Sequence, residues 1–349
     1  MKRDDLMYWQ DRWIQAMGRI GFLLLPQFSM LELFCAIDAL RIAARFGNNE
    51  QSWHLYSHDG QSVTASNGIE IPVNGKFGQG DIPSILFVMA SYEPLITITG
   101  TMRAELRRMA RYGTLLGGVD TGAFILAECG LLLGRRVTMH WEAVTAFSES
   151  YPQIVVSPTL YEFDRDRLTC AGGSAVIDMM LFLIGLRQGD ALMRAVAEQI
   201  IHPPLRTGDT AQRDSPARRY ALCDRRLARV VELMEKHIEQ PIPVSVVASE
   251  VGLSQRQLER LCHRYLGRSA KNFYLAVRLE KARQMLTDSG RSVSETAFAT
   301  GFGSLAHFSR MFRQVFGCSP SSLQRTGNRV VPEMLARMPG KASVTSGHA

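Results

Sequence analysis

The sequence predicts two domains of different class: an α/β sandwich around a mostly parallel sheet over residues 18–200, and an all-α domain over residues 222–325. Three observations carry this. Strand-like and helix-like stretches alternate up to about residue 200, whereas from Leu222 the periodicity is helical only. A pattern of apolar and small residues in the second half recurs after about 50 residues. Charge divides the same way, with 18 Lys and Arg against 22 Asp and Glu up to residue 210 and 22 against 11 beyond it. A basic domain beside a mildly acidic one is the electrostatic form of a polyanion binder attached to something else.

Composition excludes several classes. At 349 residues the chain exceeds one ordinary core. Its 46% hydrophobic and 21% charged residues are those of a globular protein. It has no apolar run of the roughly 18 residues that a membrane span needs, so no membrane partner is expected. The start, MKRDDLMYWQDRW, is charged and aromatic where a signal peptide would be continuously apolar, which places the expected location in the cytoplasm. Six cysteines, Cys35, Cys129, Cys170, Cys223, Cys262 and Cys318, stand singly without a CxxC pair. Buried thiols are expected from them, with no metal site and no cofactor.

In chain order, RIGFLLL (19–25) reads as a buried strand and SMLELFCAIDALRIAARFG (29–47) as a helix ending at Gly47. WHLYSHD, SILFVMA and TLLGGV read as further strands, TMRAELRRMARYG as a helix between two of them, and GSAVIDMMLFLIGLRQ as a long buried helix. Residues 201–221, rich in proline and charge with no apolar face, read as a linker. Residues 326–349 are small and polar, and are expected to be a disordered tail.

In the second half, Val244, Ala248, Gly252 and Leu253 recur 49 residues later as Val293, Ala297, Gly301 and Phe302, while Leu258, Arg260 and Gly267 recur 50 residues later as Phe308, Arg310 and Gly317. Each copy is helix, glycine turn, helix: the alanine lets two helices approach and the glycine takes the left-handed turn conformation. The second helices, Ser254–Tyr265 and Ser304–Val315, open on capping serines. Away from their apolar stripes one presents Gln255, Arg256, Arg260 and Arg264, the other His307, Ser309, Arg310 and Arg313. Arg and Gln on such helices reach base edges in the major groove, and flanking basic residues hold phosphates. SAKNFYLAVRLEKARQML (269–286) is a strong helix former that spans roughly 27 Å at about 1.5 Å per residue. A rod of that length can hold two readers near the roughly 34 Å of one duplex turn.

These residues resemble the AraC/XylS regulators across the whole of 222–325, through the VGLSQRQL unit, the GFGSLAHFSRMFRQVFGCSP unit and the connecting RLEKARQML. The resemblance implies base or backbone contacts from Gln255, Arg256 and Arg260 in the first unit, and from Leu305, His307, Ser309 and Arg310 in the second. It also implies promoter DNA, RNA polymerase and a second copy of the chain as partners.

In the first half, LLGGVDTGAFILAECG (115–130) places Gly118-Val119-Asp120-Thr121-Gly122 between a strand and a helix. A G-x-nucleophile-x-G turn there is an elbow that projects its central side chain. With LPQFSMLELFCAIDALR and LTCAGGSAVIDMMLFLI, this half is similar to the class I glutamine amidotransferase-like superfamily, in its intracellular-protease-like branch, which implies a flavodoxin-like sandwich. Active members carry Cys at the elbow where this chain has Asp120 followed by Thr121, so an activated nucleophile is missing. A ligand-sensing role is expected, with Glu32 and Asp120 supplying negative charge, and with Ser91, Tyr92, Thr121, His140 and Trp141 around them. Backbone N–H groups near Ser91 and the elbow would receive a carboxylate, and Tyr92 and Trp141 would offer faces to a quaternary ammonium or guanidinium group. The implied effector is a small amine or zwitterion such as a betaine, carnitine or a basic amino acid, and the implied function is ligand-responsive transcription regulation, expected to be activation. A DNA-tethered amidase or thiol hydrolase is the alternative.

Overall fold

The computed structural model describes residues 3–47, 52–202, 206–212, 220, 222, 224–288 and 291–326. Cys223, most of the 201–221 segment and the tail from residue 327 lie outside the described residues. The chain divides into two compact units, Met1–Gln212 and Arg213–Ala349. No helix among the described residues is long and apolar enough to cross a membrane.

The first unit opens with helix α1 (Arg3–Ala16) and strand β1 (Arg19–Leu24), then α2 (Met30–Gly47) and β2 (Ser52–Ser57). Short strands β3 (Val63–Thr64), β4 (Glu70–Ile71) and β5 (Gly75–Lys76) precede β6 (Ile85–Ala90), α3 (Gly100–Arg111), β7 (Leu115–Asp120) and α4 (Gly122–Glu128). There follow β8 (Arg136–Val137), α5 (Val144–Ser150), β9 (Val155–Val156), β10 (Tyr161–Asp164), β11 (Arg167–Cys170), α6 (Ala175–Gln188) and α7 (Asp190–Gln199).

Seven strands form one sheet in the order β10-β11-β7-β6-β1-β2-β5, parallel throughout except for the antiparallel edge pair β10–β11. The central strands β6 and β7 are buried at every residue, as parallel strands covered on both faces are. Alternate side chains still divide between two cores. Phe22, Phe87, Met89 and Val119 join α2 and α6 on one face, while Leu23, Val88 and Leu116 pack with α3, through its Leu106, and α4 on the other.

Two parts of this unit lie outside the sequence pattern. Helix α1 buries Trp13 in the first core, as does Met17 just beyond its end, and the Trp13 indole donates to Arg165 O at 2.9 Å. Residues 206–212 lie on the sheet edge: Leu160 N donates to Gly208 O (2.9 Å) and Thr210 O (3.1 Å), and the Gln212 amide donates to Met139 O and Thr159 O, both at 2.9 Å. A stretch held by backbone hydrogen bonds needs no apolar face, so its polar composition reads as linker.

The second unit is helical: α8 (Arg225–Lys236), α9 (Val244–Glu250), α10 (Gln255–Leu266), α11 (Ala270–Asp288), α12 (Val293–Ala299), α13 (Leu305–Phe316) and α14 (Pro320–Thr326). One core gathers Leu227, Val231, Val247, Leu258, Cys262 and Phe273, and a second gathers Leu279, Ala297, Phe302, Phe308, Phe312 and Leu323. Helix α11 contributes to both.

Candidate functional site

The parallel strands β1, β6, β7 and β11 end at one edge of the sheet, with Ala90 opposite Asp120 and Val119 opposite both Met89 and Cys170. Loops at the carboxyl ends of such strands are where α/β folds bind ligands. Here β7 turns into α4 through Asp120, which holds φ +56°, a left-handed conformation uncommon for a residue with a Cβ. Strain of this kind is of order 1–3 kcal/mol and persists only where its surroundings enforce it. The flanking glycines show what enforces it. A Cβ on Gly118 would lie 2.7 Å from Ala123 N, and one on Gly122 would lie 2.2 Å from Val88 O.

Glu32, in the first turn of α2, comes against this elbow. It is 3% exposed and Asp120 is 6% exposed. Glu32 Oε1 accepts from Gly173 N at 2.7 Å, while Oε2 is buried without a hydrogen-bond partner among the described residues. Gly172, at φ +87°, closes the group: a Cβ there would lie 2.4 Å from Glu32 Oε1 and 2.9 Å from Asp120 Cβ. Burial, and then the neighbouring Asp120 charge, push the Glu32 carboxyl well above the usual carboxylate range, opposed by the Gly173 N–H. A group so raised stabilises the fold fully below its ordinary value, and that stability is lost as pH climbs toward the raised value. The melting temperature of the α/β unit is therefore expected to fall as pH rises above the ordinary carboxylate range. Glu32→Gln, neutral at every pH, should flatten that slope in a calorimetric series, and parallel slopes would remove Glu32 from the account.

Of the other sequence-predicted residues, Thr121 and Ser91 join the elbow, since the Thr121 hydroxyl donates to Ser91 O at 2.6 Å. Tyr92 follows on the same loop and is exposed. His140 and Trp141 form a second group, their rings 5.5 Å apart and His140 Nδ1 3.8 Å from Glu142. That group hangs on Thr138, whose N–H donates to Thr169 Oγ1 on β11 at 2.8 Å. Among the described residues, the thiols nearest the elbow in sequence or sheet register, Cys129 and Cys170, are buried. Burial pushes the Cys129 thiol up to about 11, and it drives that of Cys170 higher still.

Sequence reading missed Asp178, one turn into α6 beyond Gly172–Ser174. Its fully buried carboxylate accepts from Arg206 N (3.0 Å), Nε (3.0 Å) and Nη2 (2.6 Å), and lies 3.0 Å from His202 Nε2. Arg206 Nη2 also donates to Ser174 Oγ at 3.0 Å. A lone aspartate inside the apolar run AVIDMMLFLI was the available signal, because a buried charge requires a partner.

The second unit presents a different surface. Ser254 caps α10 and forms a reciprocal capping box with Gln257. Leu258, Cys262 and Leu266, four residues apart, bury one stripe, which leaves Gln255, Arg256, Arg260 and Arg264 exposed. Ser304 caps α13, where Phe308 and Phe312 are buried while Leu305, His307, Arg310 and Arg313 are exposed and Ser309 is half-buried. The turns before both helices hold glycine at positive φ, Gly252 at +69° and Gly301 at +75°. Each copy thus anchors its second helix by an apolar stripe and turns a basic, hydrogen-bonding face outward, the arrangement a groove-reading helix requires.

Residues 247–326 match the model of a family described as a helix-turn-helix domain. The chain is 44% identical over 300 residues to the HTH-type transcriptional regulator CdhR of Pseudomonas aeruginosa, covering 86% of this chain and 89% of that protein. A solved AraC family transcriptional regulator from Pseudomonas putida is similar at 27% identity and TM-score 0.48, over 52% of this chain and 98% of that one. A ThiJ/PfpI family protein from Pseudomonas syringae is similar at 15% identity and TM-score 0.49, over 74% of this chain and 90% of that one. For the first unit the comparisons do not single out the glutamine amidotransferases named from its motifs. With two helix-turn-helix units on the page and that near full-length likeness, the chain belongs to the AraC/XylS-type family of helix-turn-helix transcriptional regulators.

Proposed function

We propose that the α/β unit is the receptor for a small cationic or zwitterionic metabolite, of the betaine, carnitine or basic amino acid class, and that its occupancy controls promoter binding. The single observation that carries this is the Glu32–Asp120 pair: two carboxyl groups near enough to repel each other, nearly closed from water, one with an oxygen that has no hydrogen-bond partner among the described residues. A cationic centre placed there relieves the repulsion between them and lets Glu32 ionise. The elbow carries Asp120 where a G-x-nucleophile-x-G turn would place its nucleophile. With Asp120 in the nucleophile position and relatives that are regulators, binding replaces catalysis. In the second unit, Gln255, Arg256, Arg260 and Arg264, together with Leu305, His307, Ser309, Arg310 and Arg313, are the proposed contacts to double-stranded promoter DNA. The protein acts as a homodimer that engages RNA polymerase as an activator.

A thermal-shift screen of glycine betaine, L-carnitine and L-arginine against neutral isosteres tests the receptor, because a ligand of the folded state raises its melting temperature by mass action. At 100 times its dissociation constant a true ligand stabilises by about 2.7 kcal/mol. Asp120→Ala should abolish that shift and the transcriptional response while leaving DNA binding at its wild-type level. An unchanged dose response in the variant would end the assignment.

A further inference from the structure

The two helix-turn-helix units meet in a second place besides the helix that joins them. Gly301, in the turn of the second unit, is packed so closely that a Cβ would lie 2.5 Å from Pro241 Cγ and 2.7 Å from Ile238 O. Ile238 and Pro241 belong to the stretch between α8 and α9 that leads into the first helix-turn-helix copy, where the adjoining Ile242 packs on that copy's core. The equivalent glycine of the first copy, Gly252, has open space where its Cβ would be. Crowding at Gly301 is therefore no requirement of the helix-turn-helix motif itself. It is a contact between the copies.

Two side chains of α11 close on the same seat from opposite sides. The Tyr274 hydroxyl donates to His237 O at 2.6 Å, on the side of the first helix-turn-helix copy. Arg278, one turn further along, donates from Nε to Thr300 O at 2.9 Å and from Nη2 to Gly301 O at 2.7 Å. Its guanidinium carbon lies 4.3 Å from the centre of the Phe302 ring. Thr300 is fixed from within, its hydroxyl donating to Thr296 O at 2.7 Å. A planar guanidinium with two donors held on two successive carbonyls fixes direction as well as distance, which a lysine ammonium does not.

A connecting helix alone ties two bodies along one line and leaves them free to swing as it bends. A second tie off that line removes the freedom. We propose that the seat of Gly301 on Ile238–Pro241, clamped by Arg278 and Tyr274, fixes the angle between α10 and α13 and so sets the single half-site spacing this regulator accepts. Tyr274 and Arg278 are positioning residues in this account, since neither is placed on a DNA-reading face. The inference rests on the reading of α10 and α13 as the DNA-contacting helices. It adds that operator choice depends on the distance between half-sites as well as on their bases.

One inserted base pair moves a half-site by about 3.4 Å and turns it by about 35°, given roughly 10–10.5 base pairs per turn. The duplex recovered by selection from random DNA with the full-length protein would be compared with versions lengthened and shortened by one base pair between its halves. Wild-type protein is expected to bind both altered duplexes at least about tenfold more weakly. The double variant Arg278→Met with Tyr274→Phe, which keeps the apolar stems, should bind the original duplex more weakly and the three duplexes within about threefold of one another. A uniform loss with spacing preference intact would show a merely structural role and overturn the proposal, as would a wild type indifferent to spacing. Pro241→Ala removes the ring under Gly301 without touching α11. It carries the same two outcomes should the double variant fail to fold. If no duplex is selected at all, the reading of α10 and α13 fails first.

Discussion

Phe308→Ala is expected to abolish DNA binding while leaving the α/β unit folded. Phe308 is fully buried on the inner face of α13, with ring centres 5.1 Å from Phe302 and 5.5 Å from Phe312. Truncating a buried phenylalanine costs about 3–5 kcal/mol, through lost transfer energy and the cavity left behind. The core it belongs to is small. Beyond the three aromatic rings its fully buried members are Leu279, Ala282, Leu286, Ala297 and Leu323. A loss of that size is comparable with the whole stability of a small domain, about 5–15 kcal/mol. α13 would lose its seat even though every residue on its outward face is unchanged. Calorimetry should show the transition of the helical unit moving down by more than about 10 °C, given about 4–8 °C per kcal/mol for a domain of that size. The transition of the α/β unit should stay in place. Retained footprinting with an unshifted helical transition would mean that Phe308 does not anchor α13.

The second large effect is expected at the elbow. Gly122→Ala adds one methyl group, and that methyl would sit 2.2 Å from the carbonyl oxygen of Val88 on the central strand β6. No rotamer relieves a clash between a Cβ and backbone, so either β6 or the start of α4 must move. Overpacking costs about 1–3 kcal/mol where side chains can adjust, and more is expected where the obstacle is a sheet backbone. Whatever the stability, the displacement moves Asp120 away from Glu32, so stabilisation by cationic metabolites should be lost along with the wild-type melting temperature. Gly100→Ala is the control. Gly100 is the first residue of α3 with open space at its Cβ, and the change there should be neutral or stabilising by up to about 1 kcal/mol. Equal melting temperatures for the Gly122 and Gly100 variants would show that the elbow yields without strain.

The residues proposed as DNA readers were legible because a recognition helix displays its logic along one element. Ser254 and Ser304 cap, Leu258 with Cys262 and Phe308 with Phe312 mark the inner stripe, and whatever lies opposite is outward. The elbow was legible for a related reason. Gly118 and Gly122 stand within four residues of each other, and a backbone turn that admits no Cβ at either place is written in adjacent letters. Glu32 was nameable only through a resemblance, since nothing in MLELFCAID distinguishes it from a solvated helix carboxylate. Its burial against Asp120 comes from the packing of α2 across the end of β7. Helix α1 escaped notice because a single tryptophan, Trp13, supplies much of its inner face and no run of periodic residues announces it.

What the sequence by itself determined is the content of each element: a β-α alternation, a duplicated helix-turn-helix, two outward basic faces, and an elbow with a carboxylate in place of a thiol. Periodicity and glycine placement act over a few residues, and a few residues suffice to record them. What only the tertiary structure decided is which distant elements touch. Glu32 meets Asp120 and Gly172, Arg206 reaches back to Asp178, and Gly301 seats on Pro241 under Arg278. Part of each group is held on backbone carbonyls and amides, which every residue carries alike: Gly173 N for Glu32, Arg206 N for Asp178, and Thr300 O and Gly301 O for Arg278. A residue type such as Asp178 in its apolar run signals that a partner is needed but not which one, and the path of the chain through space is what brings the two within bonding distance.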